Sequence, residues 1–326
     1  MSSSESIRNK KKQDILYHYT TLSGLKGVVE SGKIWATNIL YLNDSEEFFN
    51  AIEAFNSVFD TMWDTPEIID ALDESEQDFL SLLSKRIEDI FEDNEDGFKV
   101  FVSSFSESAD KLSQWRGYCP NGSGICIGFD FVNLTNIPGC QLVKCIYVKH
   151  SMGSDEEKEG FNQVYKFIED YLKKFKSFKN DQNKEEKKKS LLQDFEKDFL
   201  MFAARVKHPG FKEENEWRLI LTLDETKNKY IFYRSGKSML VPYIEIKIRD
   251  ENGYLNIPDI WVGPTPHPYL SRNSIVDFLD AQKVYAYKYQ EDLINPTPPF
   301  LDSDNKDPME KRSPNVRISE IPYRDW

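Results

Sequence analysis

The alternation of apolar and polar positions predicts the first element at Ile15, where ILYHYT has the composition of a short strand. The segment that follows, SGLKGVVESGKIW, continues from Leu22 a helical spacing through Leu25, Val28 and Val29. That predicts a helix with Ser23 as its N-cap and Gly32 as its stop. A strand restarts over 34–36, and 41–44 (YLND) reads as a loop. Residues 45–95 are acidic, with apolar positions such as Phe48, Ile52, Phe55, Leu80, Leu83, Ile87 and Ile90, the pattern of two or three amphipathic helices. Strands are predicted over FKVFVSSFS at 98–106, SGICIGFDF at 123–131 and CQLVKCIYV at 140–148.

Residues 154–200 change character, with KKFKSFKNDQNKEEKKKS set between two apolar-periodic stretches, which reads as a solvated helical hairpin in preference to a binding arm. Strands resume at EWRLILTL, NKYIFYR and VPYIEIKI. A Pro-rich turn, VGPTPHP, then leads to a helix over 271–281 and to VYAYKYQ. The tail at 1–12 reads as disordered and 295–314 as a flexible stretch before a last strand-like piece, VRISEIPYR. Strands come in clusters separated by helical blocks, without βαβ alternation. The expected class is therefore α+β on a mostly antiparallel sheet, as one domain over 13–326 with helical insertions at about 45–95 and 154–200.

Composition agrees with a packed core: 39% of residues are hydrophobic and 13% aromatic, while 30% are charged and the mean hydropathy is −0.59. No apolar run approaches the ~20 residues of a membrane span. The N-terminus, MSSSESIRNKKKQD, lacks the apolar core of a secretory signal, so the expected location is the cytoplasm. A net charge of −13 means that no broad positive field draws the chain onto nucleic acid, and a nucleic-acid substrate would have to meet a local basic groove. Cys119, Cys126, Cys140 and Cys145 form no CxxC pair and read as reduced, part-buried thiols on neighbouring strands. With His18, His150, His208 and His267 as the only histidines, no metal site is expected.

Three features carry candidate chemistry. His18 lies in the first strand between Tyr17 and Tyr19, a setting where a lone histidine is commonly structural. Glu214 and Glu216 stand two apart immediately before an apolar strand in KEENEWRLI, and period 2 points them to the same face at the strand's entrance. That is the arrangement needed to hold a ribose hydroxyl and a developing cation, and also that of an exposed acidic strand end. The third is SSFSESADKLSQWRGYCPNGSGICIGF, with hydroxyls at Ser104 and Ser106, flat faces at Trp115 and Tyr118, and a cationic fork at Arg116 suited to pyrophosphate. Its glycine-containing segment is equally a plain hairpin turn. No GxGxxG, GxxxxGK[ST] or GxSxG occurs, so Rossmann, P-loop and α/β-hydrolase sites find no support.

Four blocks, LYHYTTLSGLKGVVESGKIWATNILYLNDSEEF, SFSES…LSQWRGY…G…IGF, HPGFKEENEWRLI and VGPTPHP, resemble in the same order a widespread bacterial family of once-uncharacterised domains. That family looks like a branch of the ADP-ribosyltransferase superfamily, and its H-Y-T opening is similar to DarT-type nucleic-acid-modifying toxins and to RNA 2′-phosphotransferases. The resemblance implies an ADP-ribosyltransferase-like split sheet with NAD as co-substrate. His18 takes the first site position and Glu216 the last, with Tyr19 beside His18 as a further catalytic residue and Thr20 as a cofactor contact. The middle position falls to Ser104 or Ser106 in the serine variant, or to Tyr118 in the aromatic one, while Glu214 resembles the first carboxylate of an E-x-E pair. It further implies that a carboxylate at Glu216 stabilises the oxocarbenium-like centre formed as nicotinamide leaves. His18 would bind the adenosine-side ribose, with aromatic faces around nicotinamide.

The expected function is a toxin or phage-defence effector that modifies DNA or RNA. Its alternatives are a protein-modifying ADP-ribosyltransferase, an NAD glycohydrolase, and a non-catalytic module that binds a nucleotide or a partner. An antitoxin protein is a candidate partner for the acidic helical surface at 45–95, around Glu74, Glu76 and Glu88.

Overall fold

The computed structural model describes residues 15–42, 46–92, 99–119, 124–148, 155–223, 229–250, 253–284, 286–287 and 311–322. The tail at 1–12, His150, residues 121–123 of the glycine-containing loop and most of 295–314 lie outside the described residues. In chain order the elements are β1 (Ile15–Thr21), α1 (Leu22–Ser31), β2 (Lys33–Asn38), α2 (Glu46–Trp63), α3 (Pro66–Ile69), α4 (Glu74–Glu92) and β3 (Lys99–Ser106). There follow α5 (Leu112–Tyr118), β4 (Gly124–Asp130), α6 (Phe131–Thr135), β5 (Gln141–Lys144), β6 (Ile146–Tyr147), α7 (Asp155–Lys176) and α8 (Lys184–Ala203). The last are β7 (Val206–Lys207), β8 (Glu216–Leu223), β9 (Phe232–Ser235), β10 (Leu240–Lys247), β11 (Asp259–Val262), α9 (Pro268–Ala281), β12 (Ala286–Tyr287), β13 (Lys311–Arg312) and β14 (Asn315–Ile318). Most strand pairs are antiparallel, with β6–β7 and β11–β14 parallel, and the class is α+β as expected.

The chain forms two compact units, one of Met1–Ile34, Phe105–Pro138 and Ile246–Trp326, the other of Trp35–Ser104 and Gly139–Glu245. In the first unit the strand order is β14-β11-β4-β1. β1 pairs with β4 over its whole length, His18 opposite Ile127 and Tyr19 opposite Cys126. Helix α1 buries Leu25, Val28 and Val29. Its N-cap is Thr21, not Ser23: Thr21 Oγ1 accepts from the Gly24 N–H at 3.1 Å, and the Ser23 hydroxyl lies 2.8 Å from that oxygen. Gly32 ends α1 in the left-handed region at φ 65°. The Arg249 side chain crosses directly over Gly32, where a Cβ would meet its Nε at 2.1 Å, and Arg249 Nη2 donates to the Val29 carbonyl at 2.8 Å. Helix α9 starts at Pro268, earlier than predicted, because proline fits the first helical turn, where its missing N–H is not needed.

The second unit holds β5, β8 and most of β3, with the hairpin of β9 and β10, and a layer of α2, α4, α7 and α8 packed against one another. The two helical blocks of the sequence therefore share one core. Phe55 meets Phe199 edge-on at 4.9 Å, and Phe79 stacks on Phe175 at 4.3 Å. Phe55, Phe79, Phe195 and Phe199 are fully buried. The charge run of α7 and α8 covers the outer face of a hairpin whose inner face is apolar. Glu76 is not an exposed residue of a docking face: it is buried and paired with Lys179 at 2.5 Å and Lys176 at 3.2 Å. Among the described residues no helix is long and apolar enough to cross a membrane.

Candidate functional site

In the first unit, β1 delivers the predicted residues to two different environments. Tyr19 is buried, and its phenol is saturated: Oη donates to the Ser108 carbonyl at 2.8 Å and accepts from the Lys111 N–H at 3.1 Å. Burial, with the neighbouring Cys126, pushes its pKa far up. Its ring meets Trp115 edge-on at 4.7 Å. Trp115 is 2% exposed and donates from Nε1 to Asp110 at 2.7 Å. Gly124 and Gly263 lie against its ring, where a Cβ would sit 3.0 and 2.9 Å from Cε3. Trp115 is therefore a core side chain and offers no face to nicotinamide.

His18, one residue earlier on β1, is half-buried beside Phe105, with 5.7 Å between the ring centroids. Ser106 is buried and accepts from the Ser108 N–H at 3.1 Å, whereas Ser104 falls in the second unit. Thr20 is half-buried, and its carbonyl accepts from Cys119 Sγ at 3.2 Å. Arg116 is exposed on the short helix α5, and Tyr118, half-buried, packs against the cluster of Tyr19, Trp115, Cys119 and Cys126. Burial raises the Cys119 thiol to about 12 and Cys126 well above its ordinary value, so both stay protonated near neutrality.

The second unit brings Glu214 and Glu216 together with two cations that sequence reasoning missed. Glu216 opens β8 directly after a 3-10 turn, Pro209–Glu214, and after Asn215 in the left-handed region at φ 43°. Its Oε2 meets Lys207 Nζ at 2.5 Å and its Oε1 meets Arg218 Nε at 2.7 Å. Lys207 also reaches Glu214 Oε2 at 2.7 Å. Arg218 Nη1 donates to the Ala204 carbonyl at 2.8 Å, and the Glu216 N–H donates to Tyr147 Oη at 3.1 Å. The four side chains carry two negative and two positive charges and are all buried. Burial pushes the Glu216 carboxyl up, but Arg218 and Lys207 outweigh it and hold it at about 2. Tyr147 is raised to about 12, chiefly by burial.

The two carboxylates of KEENEWRLI thus converge on Lys207, although Asn215 breaks the strand between them. Arg218, two positions beyond Glu216, was legible by period 2, while Lys207 reaches the pair from β7, which is only two residues long. The predicted first position, His18, and the last, Glu216, belong to different units. A family described as "Protein of unknown function (DUF2971)" matches residues 114–219, about a third of the chain. That span includes Trp115, Arg116, Tyr118, Glu214 and Glu216, and leaves His18 outside. No curated protein and no solved structure matches the chain.

Proposed function

We propose that this chain transfers ADP-ribose from NAD to a nucleic-acid acceptor, as a toxin or phage-defence effector, with Glu216 facing the reacting ribose. The observation that carries the reading is the Glu216 carboxylate, kept ionised inside the protein by Arg218 and Lys207 at the entrance of β8. When the C1′–N bond breaks, its electron pair leaves with nicotinamide and the ribose ring becomes cationic. A carboxylate that stays charged at neutral pH opposes that cation and accepts a hydrogen bond from the 2′-hydroxyl. The acceptor then gives an electron pair to C1′ and releases a proton, for which Glu214, the second carboxylate on Lys207, is the proposed base.

A second reading, a non-catalytic module, is favoured by one specific feature: both Glu216 oxygens already have cationic partners, as in a purely structural ion cluster. The test is incubation with NAD labelled in its adenylate half, together with DNA, RNA and cell lysate, followed by nuclease or protease digestion. Label on nucleic acid supports the proposal, and label on protein moves the acceptor to the alternative. Nicotinamide release without transfer makes the chain a glycohydrolase, and no release by folded protein leaves the non-catalytic module.

A further inference from the structure

In the second unit, three aromatic rings form a row across β2, β10 and β9, with the two outer ones exposed to solvent. The Trp35 ring, on a residue 50% exposed, lies 4.4 Å from that of Tyr243 with the planes tilted by 34°. Half-buried Tyr243 lies 5.8 Å from Phe232, tilted by 32°, and Phe232 is 45% exposed. Arg234, two residues along β9 from Phe232, is exposed and reaches Thr37 Oγ1 at 3.4 Å, which holds its guanidinium beside the row. The segment KYIFYRSGKSML carries Lys229, Arg234 and Lys237 and no carboxylate, in a chain of net charge −13.

We propose that this face binds single-stranded nucleic acid, with bases stacked on Trp35, Tyr243 and Phe232 and phosphates met by Lys229, Arg234 and Lys237. Flat rings interleaved with cations suit a strand whose bases are unpaired, because every base then offers a π-face and every phosphate a charge. A duplex hides its base faces, so the rings would add nothing to its binding. An acidic peptide would engage the cations and leave the rings without matching planes. The local positive segment within an acidic chain is the complementarity that a polyanion requires. The proposal rests on the transferase reading only in naming where the acceptor strand is held. Its test contains no NAD, so failure of one reading leaves the other intact.

The experiment is fluorescence anisotropy with labelled single strands of about 16 nucleotides, the upper end of the site size of one single-strand-binding fold. One arm uses RNA, one DNA, and a third the corresponding duplex. Single strand is expected to bind at least about ten-fold more tightly than duplex, with the RNA and DNA arms identifying the preferred sugar. Phe232→Ala is expected to weaken binding about ten-fold through lost stacking. Arg234→Gln and Lys237→Gln, both at exposed positions, should each reduce the salt slope by about 0.7. Absence of single-strand binding, equal affinity of wild type and Phe232→Ala, or equal binding of duplex overturns the proposal. So does sedimentation that shows a dimer dissolved by Phe232→Ala, which would assign the row to a second copy of the chain.

Discussion

As proposed, Glu216 would join two roles that pull a residue in opposite directions, since a carboxylate kept charged to meet the ribose must also be compensated inside the fold. Replacing it with glutamine removes the counter-charge that Arg218 and Lys207 share, Lys207 keeping Glu214, and removing one partner of a buried pair costs about 3–5 kcal/mol. Glu216→Gln is expected to unfold at lower denaturant by that amount at neutral pH, and unchanged stability would contradict the cluster. The pH dependence has a definite sign. The carboxyl is lowered from 4.5 to about 2 on folding, so its contribution is fully present above 4.5 and is lost as pH falls toward 2. Wild-type stability should therefore fall through that window, and Glu216→Gln should lack this part of the fall. Tyr19 makes a simpler prediction. Tyr19→Phe removes the acceptor of the Lys111 N–H and the donor to Ser108, for a loss of about 1–3 kcal/mol measured by thermal unfolding. A loss under about 0.5 kcal/mol would mean that water replaces the phenol at little cost. The candidate residues were legible as types in short blocks, but their burial was not. Nothing in QWRGY distinguishes an open aromatic face at Trp115 from the core side chain that Asp110, Gly124 and Gly263 make of it.

Elements with long periodic patterns could be read from the chain, and short ones could not. Helices α1, α2, α4, α7 and α8 announce themselves through apolar spacing. Helix α5, at seven residues, is too short for its period to appear, and β7 and β11 are shorter still. Periodicity also leaves open what an apolar stripe packs against, so two helical blocks that read as separate insertions turn out to share a core. This makes Phe195, fully buried against Phe167 and Tyr171, a test of the layer. Phe195→Ala is expected to cost about 3–5 kcal/mol in urea unfolding, the range for truncating a buried aromatic. A cost below about 1 kcal/mol would mean that the layer collapses around the gap or packs more loosely than described. Glu76 is tied in the same layer to Lys176 and Lys179, so a charge reversal there would disturb helix packing as well as any partner bound to the surface.

For the whole molecule, the α+β class and the mostly antiparallel pairing followed from the order of strand and helix patterns. The division into two units did not, because each is assembled from segments that alternate along the chain and share its composition. Net charge was similarly uninformative, since a total of −13 coexists with a segment at 229–240 that has three cations and no carboxylate. Cleavage of NAD through Glu216 is the chemistry proposed for the whole molecule. The most direct measurement is nicotinamide release from NAD by wild-type protein and by Glu216→Gln, at a temperature where circular dichroism shows both folded. Wild type is expected to release nicotinamide and the variant to lose roughly 10²–10³-fold of that rate, the scale of removing one electrostatic contact to the transition state. No release by folded wild type, or equal release by the two proteins, would contradict it.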